Sequence, residues 1–190
     1  MRDTPERRDP HREDSPADAS RIDMDAILRE TREQNVDGTA TRPLLPVVHA
    51  ALRKRGHPFA GNPEGTRVSF SITGEHATYQ CVFLIDDDMR WLGFFVRPPF
   101  LAPEEKRPAI AEALTRANYG LPIGNFEMDF ADGEVRYKAS IDVEGGQLAP
   151  LMVTNLIDAS LTTCEIYYPA LLRVINDDVS PEAAIREVEM

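Results

Sequence analysis

The sequence predicts an α+β fold: an antiparallel sheet packed with helices in the order α-βββ-α-ββ-α. Two observations carry that reading. Strand-like segments fall in one group of three and one group of two, joined by turns too short for parallel crossovers. Helical periodicity appears only before, between and after these groups, so the helices are too few to alternate with the strands.

The first helix is predicted in PLLPVVHAALRKRG. Leu44, Val48, Ala51 and Leu52 share one face, Pro43 and Pro46 belong to the first turn, and Arg53, Lys54 and Arg55 close it before Gly56. Val68, Phe70 and Ile72 then alternate with polar residues, as in a half-buried strand. Residues 77–85 are apolar on both faces, as a central strand requires. Residues 89–97 form a third strand, ended by Pro98 and Pro99. The second helix spans 104–118, with Ile110, Leu114 and Ala117 on one stripe.

Next comes a hairpin over 125–130 and 135–143, with Asp132-Gly133 as its turn and one apolar face on each strand. The opposite face sets acidic residues on one strand against basic residues on the next. A long helix over 148–175 carries Ile157, Leu161, Cys164, Tyr168, Leu171 and Ile175 at heptad spacing, with Pro169 expected to kink it. Ser180-Pro181-Glu182 starts a short final helix within 179–190.

Residues 1–42 are expected to be a disordered charged tail and linker. Only Met1, Ala17 and Ala19 are apolar among the first 20 residues. A short helix is predicted over 22–34, either frayed or folding on a partner. The net charge of −11 disfavours nucleic acid and anionic membranes as partners. That charge is uneven: residues 41–120 hold 10 basic and 8 acidic groups, whereas residues 121–190 hold 4 and 13. Two separated cysteines, the lack of an apolar leader and the lack of a membrane-length apolar run predict a cytoplasmic protein.

Asn118–Phe126 (NYGLPIGNF), the strand pair across Asp132-Gly133 and Tyr167–Leu171 (YYPAL) resemble the YbjN-like family of bacterial sensory transduction regulators. The resemblance covers about residues 43–178. It implies a fold like that of type III secretion chaperones, a dimeric domain that binds protein, and no catalytic residues. The motif itself reads as structural. Asn118 is placed to bond or cap the end of the second helix, Gly120 to allow a left-handed turn, and Gly124 to permit close packing.

No constellation for catalysis emerges. The four histidines are scattered without ligand spacing, so no metal is expected. Cys81 and Cys164 read as core residues. Asp86-Asp87-Asp88 reads as a solvated turn, lacking the spaced ligands of a calcium loop. No phosphate-binding glycine motif or nucleophile elbow occurs, and no cofactor is expected.

The remaining signal is apolar. Trp91 and Phe95 share one face of the third strand and Phe94 points to the other. A sheet covered on one side needs only one apolar face, so the surplus is either a second core layer or a binding patch. Trp91, Phe95, Ile157, Leu161, Tyr168 and Leu171 are therefore the candidate protein-binding or dimer face. The expected function is a non-enzymatic, dimeric, protein-binding regulator or chaperone-like adaptor in bacterial signalling or stress response. It would take its partner at a sheet edge or in an apolar groove. The alternative is a sensory domain that binds a small molecule.

Overall fold

The computed structural model describes residues 42–190. The expected tail and the 22–34 helix lie outside the described residues. Helix α1 spans Leu44–Lys54 and buries Leu44, Val48, Ala51 and Leu52, the face read from the sequence. The strands are β1 (Ala60–Gly61), β2 (Arg67–Thr73), β3 (Thr78–Asp86), β4 (Trp91–Arg97), β5 (Asn125–Met128) and β6 (Val135–Asp142). They form one antiparallel sheet in the order β1-β2-β3-β4-β6-β5. A 3₁₀ turn (Glu104–Lys106) leads into α2 (Arg107–Asn118); α3 (Pro150–Asn176) and α4 (Pro181–Glu189) follow the last strand.

The core lies between the helices and one face of this sheet. Period-two alternation sends Val68, Phe70 and Ile72 of β2 inward, with Tyr79, Cys81, Phe83 and Ile85 of β3. Leu92, Phe94 and Val96 of β4 and Val135, Tyr137 and Ala139 of β6 continue that face. Register sets Phe83 opposite Phe94, their ring centroids 4.4 Å apart, and Phe70 lies 6.0 Å from each. These rings give the sheet centre a large apolar contact area. Helix α3 covers it, with Tyr168 edge-on to Tyr79 and Tyr167 edge-on to Phe126. Helix α4 rests on α2 and α3 and buries Ala184 and Ile185.

Several local expectations change. Strand β5 ends at Met128 rather than running to residue 130. Asp129 turns the chain there: its N–H donates to the Glu134 carbonyl and its Oδ1 accepts from the Ala131 N–H. Phe130, counted among the apolar alternation, is therefore 58% exposed in the turn. Strand β4 starts at Trp91 rather than 89, because Asp86 Oδ1 takes the Met89 N–H and Arg90 adopts a left-handed φ of 54°. Strand β1 is too short to leave a periodic signal; Asn62 fixes it by accepting the Arg67 N–H and bonding Thr66.

The β3–β4 turn does more than face solvent. Asp87 Oδ1 accepts the Leu44 N–H at 2.8 Å, satisfying a free donor at the start of α1. Buried Arg90 donates to the Arg42 carbonyl at 3.1 Å and to Asp87 at 3.4 Å. The turn thus clasps the chain where it enters α1.

The geometry of the NYGLPIGNF segment also has a local cause. Asn118 bonds forward rather than capping α2. Its Oδ1 accepts the Phe126 N–H at 2.7 Å, and its Nδ2 donates to the Phe126 carbonyl at 3.1 Å. The side-chain amide behaves as an extra strand residue beside β5. Gly124 has a φ of +74°, and a Cβ there would come within 2.6 Å of the Lys138 carbonyl oxygen.

Helix α3 runs unbroken through Pro169. Its Glu165 carboxylate accepts the backbone N–H groups of Glu75 and His76, at 2.8 and 3.1 Å, and pins the β2–β3 turn to the helix. Burial raises the carboxyl's pKa, but the Tyr79 hydroxyl and these N–H groups outweigh it and hold it below the ordinary glutamate value. A depressed carboxyl stabilises the fold above its unfolded pKa, and that contribution is lost as pH falls through the folded value. Glu165→Gln is therefore expected to lower the thermal midpoint at pH 7 and to flatten the loss of stability below about pH 4.3, the ordinary glutamate range. Melts from pH 7 to pH 3 check this.

Candidate functional site

The outer face of the sheet is the candidate site. Whatever alternates away from the core points there: Ser69 and Ser71 of β2, Gln80, Val82 and Leu84 of β3, Trp91 and Phe95 of β4, and Arg136 and Lys138 of β6. Val82, Leu84, Trp91 and Phe95 are all half-buried, and no described helix covers them. Register sets Ser69, Val82, Phe95 and Lys138 in one row across four strands, and Leu84 beside Gly93 in the next.

Gly93 explains how Trp91 lies. A Cβ at position 93 would come within 2.5 and 2.7 Å of Trp91 ring atoms and 3.1 Å of Phe95. The indole therefore folds down over the bare backbone of its own strand. Phe95 is flanked by Arg136, whose guanidinium carbon is 4.9 Å from the ring centroid. A groove of about 360 Å³ follows, lined by residues that include Val82, Leu84, Phe95, Arg67, Arg97 and Arg136.

The structure divides the sequence-derived candidates. Trp91 and Phe95 lie together on the outer face. Ile157 and Leu171 lie in the chain's own core, each 1% exposed. Leu161 and Tyr168 are half-buried at the flanks of α3. The buried line of α3 runs Val153, Ile157, Ser160, Cys164, Tyr167, Leu171 and Val174. It matches the heptad stripe at Ile157, Cys164 and Leu171 but takes Ser160 and Tyr167 in place of Leu161 and Tyr168. Arg136 and Lys138 were legible from the polar face of the hairpin, whereas Arg67 and Arg97 join them only when register aligns β2, β3, β4 and β6.

Cys81 and Cys164 are buried free thiols. Burial pushes the Cys81 pKa up to about 12 and raises that of Cys164 as well. His49 stacks on Phe59, and burial and Arg53 lower its pKa. Among the described residues, no three His, Cys, Asp or Glu side chains gather as a metal site. None of the described helices is long and apolar enough to cross a membrane.

The family profile described as "Putative bacterial sensory transduction regulator" matches residues 46–173. The chain belongs to the YbjN family. Among solved structures it is similar to "YbjN, a putative transcription regulator from E. coli", at 13% identity and a TM-score of 0.46, over 63% of this chain and 84% of that one. It is also similar to a chain in the "HopA1-SchA Chaperone-Effector Complex", at 15% identity and a TM-score of 0.41, over 75% and 94%. No curated protein matches the chain.

Two outcomes are expected from this geometry. Gly93→Ala should lift the Trp91 ring from the sheet. Emission from the chain's single tryptophan would then shift to longer wavelength with little change in far-ultraviolet circular dichroism. Both cysteines should react slowly with a thiol reagent at neutral pH and fast after denaturation. Rapid modification of either in the native protein would contradict the buried, raised-pKa description.

Proposed function

We propose that this YbjN-family chain is a non-enzymatic, protein-binding regulator or chaperone-like adaptor that acts in the cytoplasm, in bacterial signalling or stress response. The observation that carries the reading is the outer sheet face, where Val82, Leu84, Trp91 and Phe95 form an apolar strip that no described element covers. Such a strip stabilises a complex when a partner removes it from water. The groove over Val82, Leu84 and Phe95 is open, with an apolar floor and a charged rim, the form that suits a peptide segment. Burial of both thiols supports binding over covalent catalysis.

Phe95→Asp is the test. Asp at a half-buried surface position should leave the fold intact while placing a charge in the strip. Proteins crosslinked to the native chain in the source cells should be lost from the variant, with the thermal midpoint within a few degrees of the parent. An unchanged set of crosslinked partners would overturn the reading.

The same reading includes a homodimer formed along the outer side of α3, where Leu151 and Ile166 are 67% and 46% exposed and Leu161 lies half-buried between them. Light scattering at micromolar concentration should give twice the chain mass, falling to one chain mass in Leu161→Asp. A monomeric parent protein would remove the dimer and leave the binding face untouched.

A further inference from the structure

We infer that the outer sheet face selects acidic peptide segments that carry an apolar anchor residue. The inference rests on the reading of that face as protein-binding and adds the chemistry of the partner. The groove floor is Val82, Leu84 and Phe95, and its charged rim is Arg67, Arg97, Arg136 and Glu134. A chain of net charge −11 therefore places cations around its exposed apolar strip.

The local ion pairs do not cancel those cations. Arg97 pairs with Glu134 at 2.8 Å, and Glu127 is shared between Arg136 at 2.8 Å and Lys138 at 3.3 Å. Arg67 has no carboxylate partner among the described residues; its Nε donates to the Ser69 hydroxyl at 3.3 Å. Three arginines and one carboxylate, Glu134, line the groove, while the adjoining hollow beyond Arg136 adds Glu127, Asp129 and Asp132, so the cationic part of the face is the side of Arg67 and Arg97. A guanidinium offers a planar fork of donors that matches a carboxylate, so Arg67 and Arg97 are suited to acidic side chains rather than to a generic anion cloud.

The face is also polar along its length. Register places Asp86, Trp91 and Asp142 in one row, so the Trp91 end is flanked by acids. Arg97 and the Phe95–Lys138 row lie further along the same strands. Arg67 lies in the Leu84–Gly93 row on the Trp91 side of Phe95 and Arg97 on the other side, so a segment with its apolar residue over Phe95 meets an arginine in either direction and the Asp86 and Asp142 carboxylates only at the Trp91 end. An unpaired base could stack on Phe95 as well as use the arginines, but the chain's overall charge opposes nucleic acid.

The test is to pan a phage library of random 12-residue peptides against the full chain, then against Arg67→Glu/Arg97→Glu and Phe95→Ser. The expected result is enrichment of sequences in which Asp or Glu lies near Leu, Phe or Trp. The charge-reversed variant should lose the acidic preference, and Phe95→Ser the apolar one. The most enriched peptide, resynthesised with a fluorophore, should bind the charge-reversed variant at least ten-fold more weakly by anisotropy. Enrichment of basic sequences, or acidic enrichment that survives the charge reversal, overturns the charge rule while leaving the protein-binding reading standing. Tighter binding of a labelled single-stranded oligonucleotide than of the peptide overturns the partner class. No enrichment, together with unchanged crosslinking by Phe95→Asp, overturns both readings.

Discussion

The described helices pack against one face of a six-stranded sheet, and this asymmetry governs the rest of the molecule. A sheet buried on one side has an inner row that must be apolar and an outer row free to vary. In β2 the outer row is serine and arginine, as solvent exposure favours. In β3 and β4 it is Val82, Leu84, Trp91 and Phe95 instead. The fold has no need of them there, so their presence on the central strands is a property of the surface. The same asymmetry places α1, α2, α3 and α4 where they support the sheet from behind. The outer face then rests on a packed core rather than on loops.

Much of this was legible in the residues because strand alternation is a strict local code. Trp91 and Phe95 are four apart, so they must share a face, and they do. Helix α3 shows where that code weakens. A stripe repeating every 3.5 residues drifts across a helix that turns every 3.6, so a wide apolar surface does not say which line faces the sheet. Ser160 ended at the centre of the packing, fully buried, while Leu161 moved to the flank. The stripe was therefore correct in direction and displaced in detail. Ile157 and Leu171, read as surface, proved to be the part of α3 that the sheet claims.

Other features were illegible because they depend on partners distant in sequence. Asp87 looked like one of three solvated aspartates. Its role needs the N-terminus of α1, 43 residues earlier, to approach it. Glu165 needs the β2–β3 turn, about 90 residues away. The cation cluster of the outer face likewise needs β4 to pair with β6 across the whole of α2 and β5. In each case the residue type was visible and the neighbour was not.

The two ends of the sheet carry a further consequence. One edge is β1, only two residues long, and the other is β5, four residues long and occupied alongside by the Asn118 side chain. Beyond them, β2 presents only Phe70–Thr73 and β6 only Ala139–Asp142 without a described strand on the outer side, and pairing copied from edge to edge is how sheets grow into fibrils. The chain therefore exposes aromatic and aliphatic groups on its broad face while leaving only short runs of edge backbone to that growth.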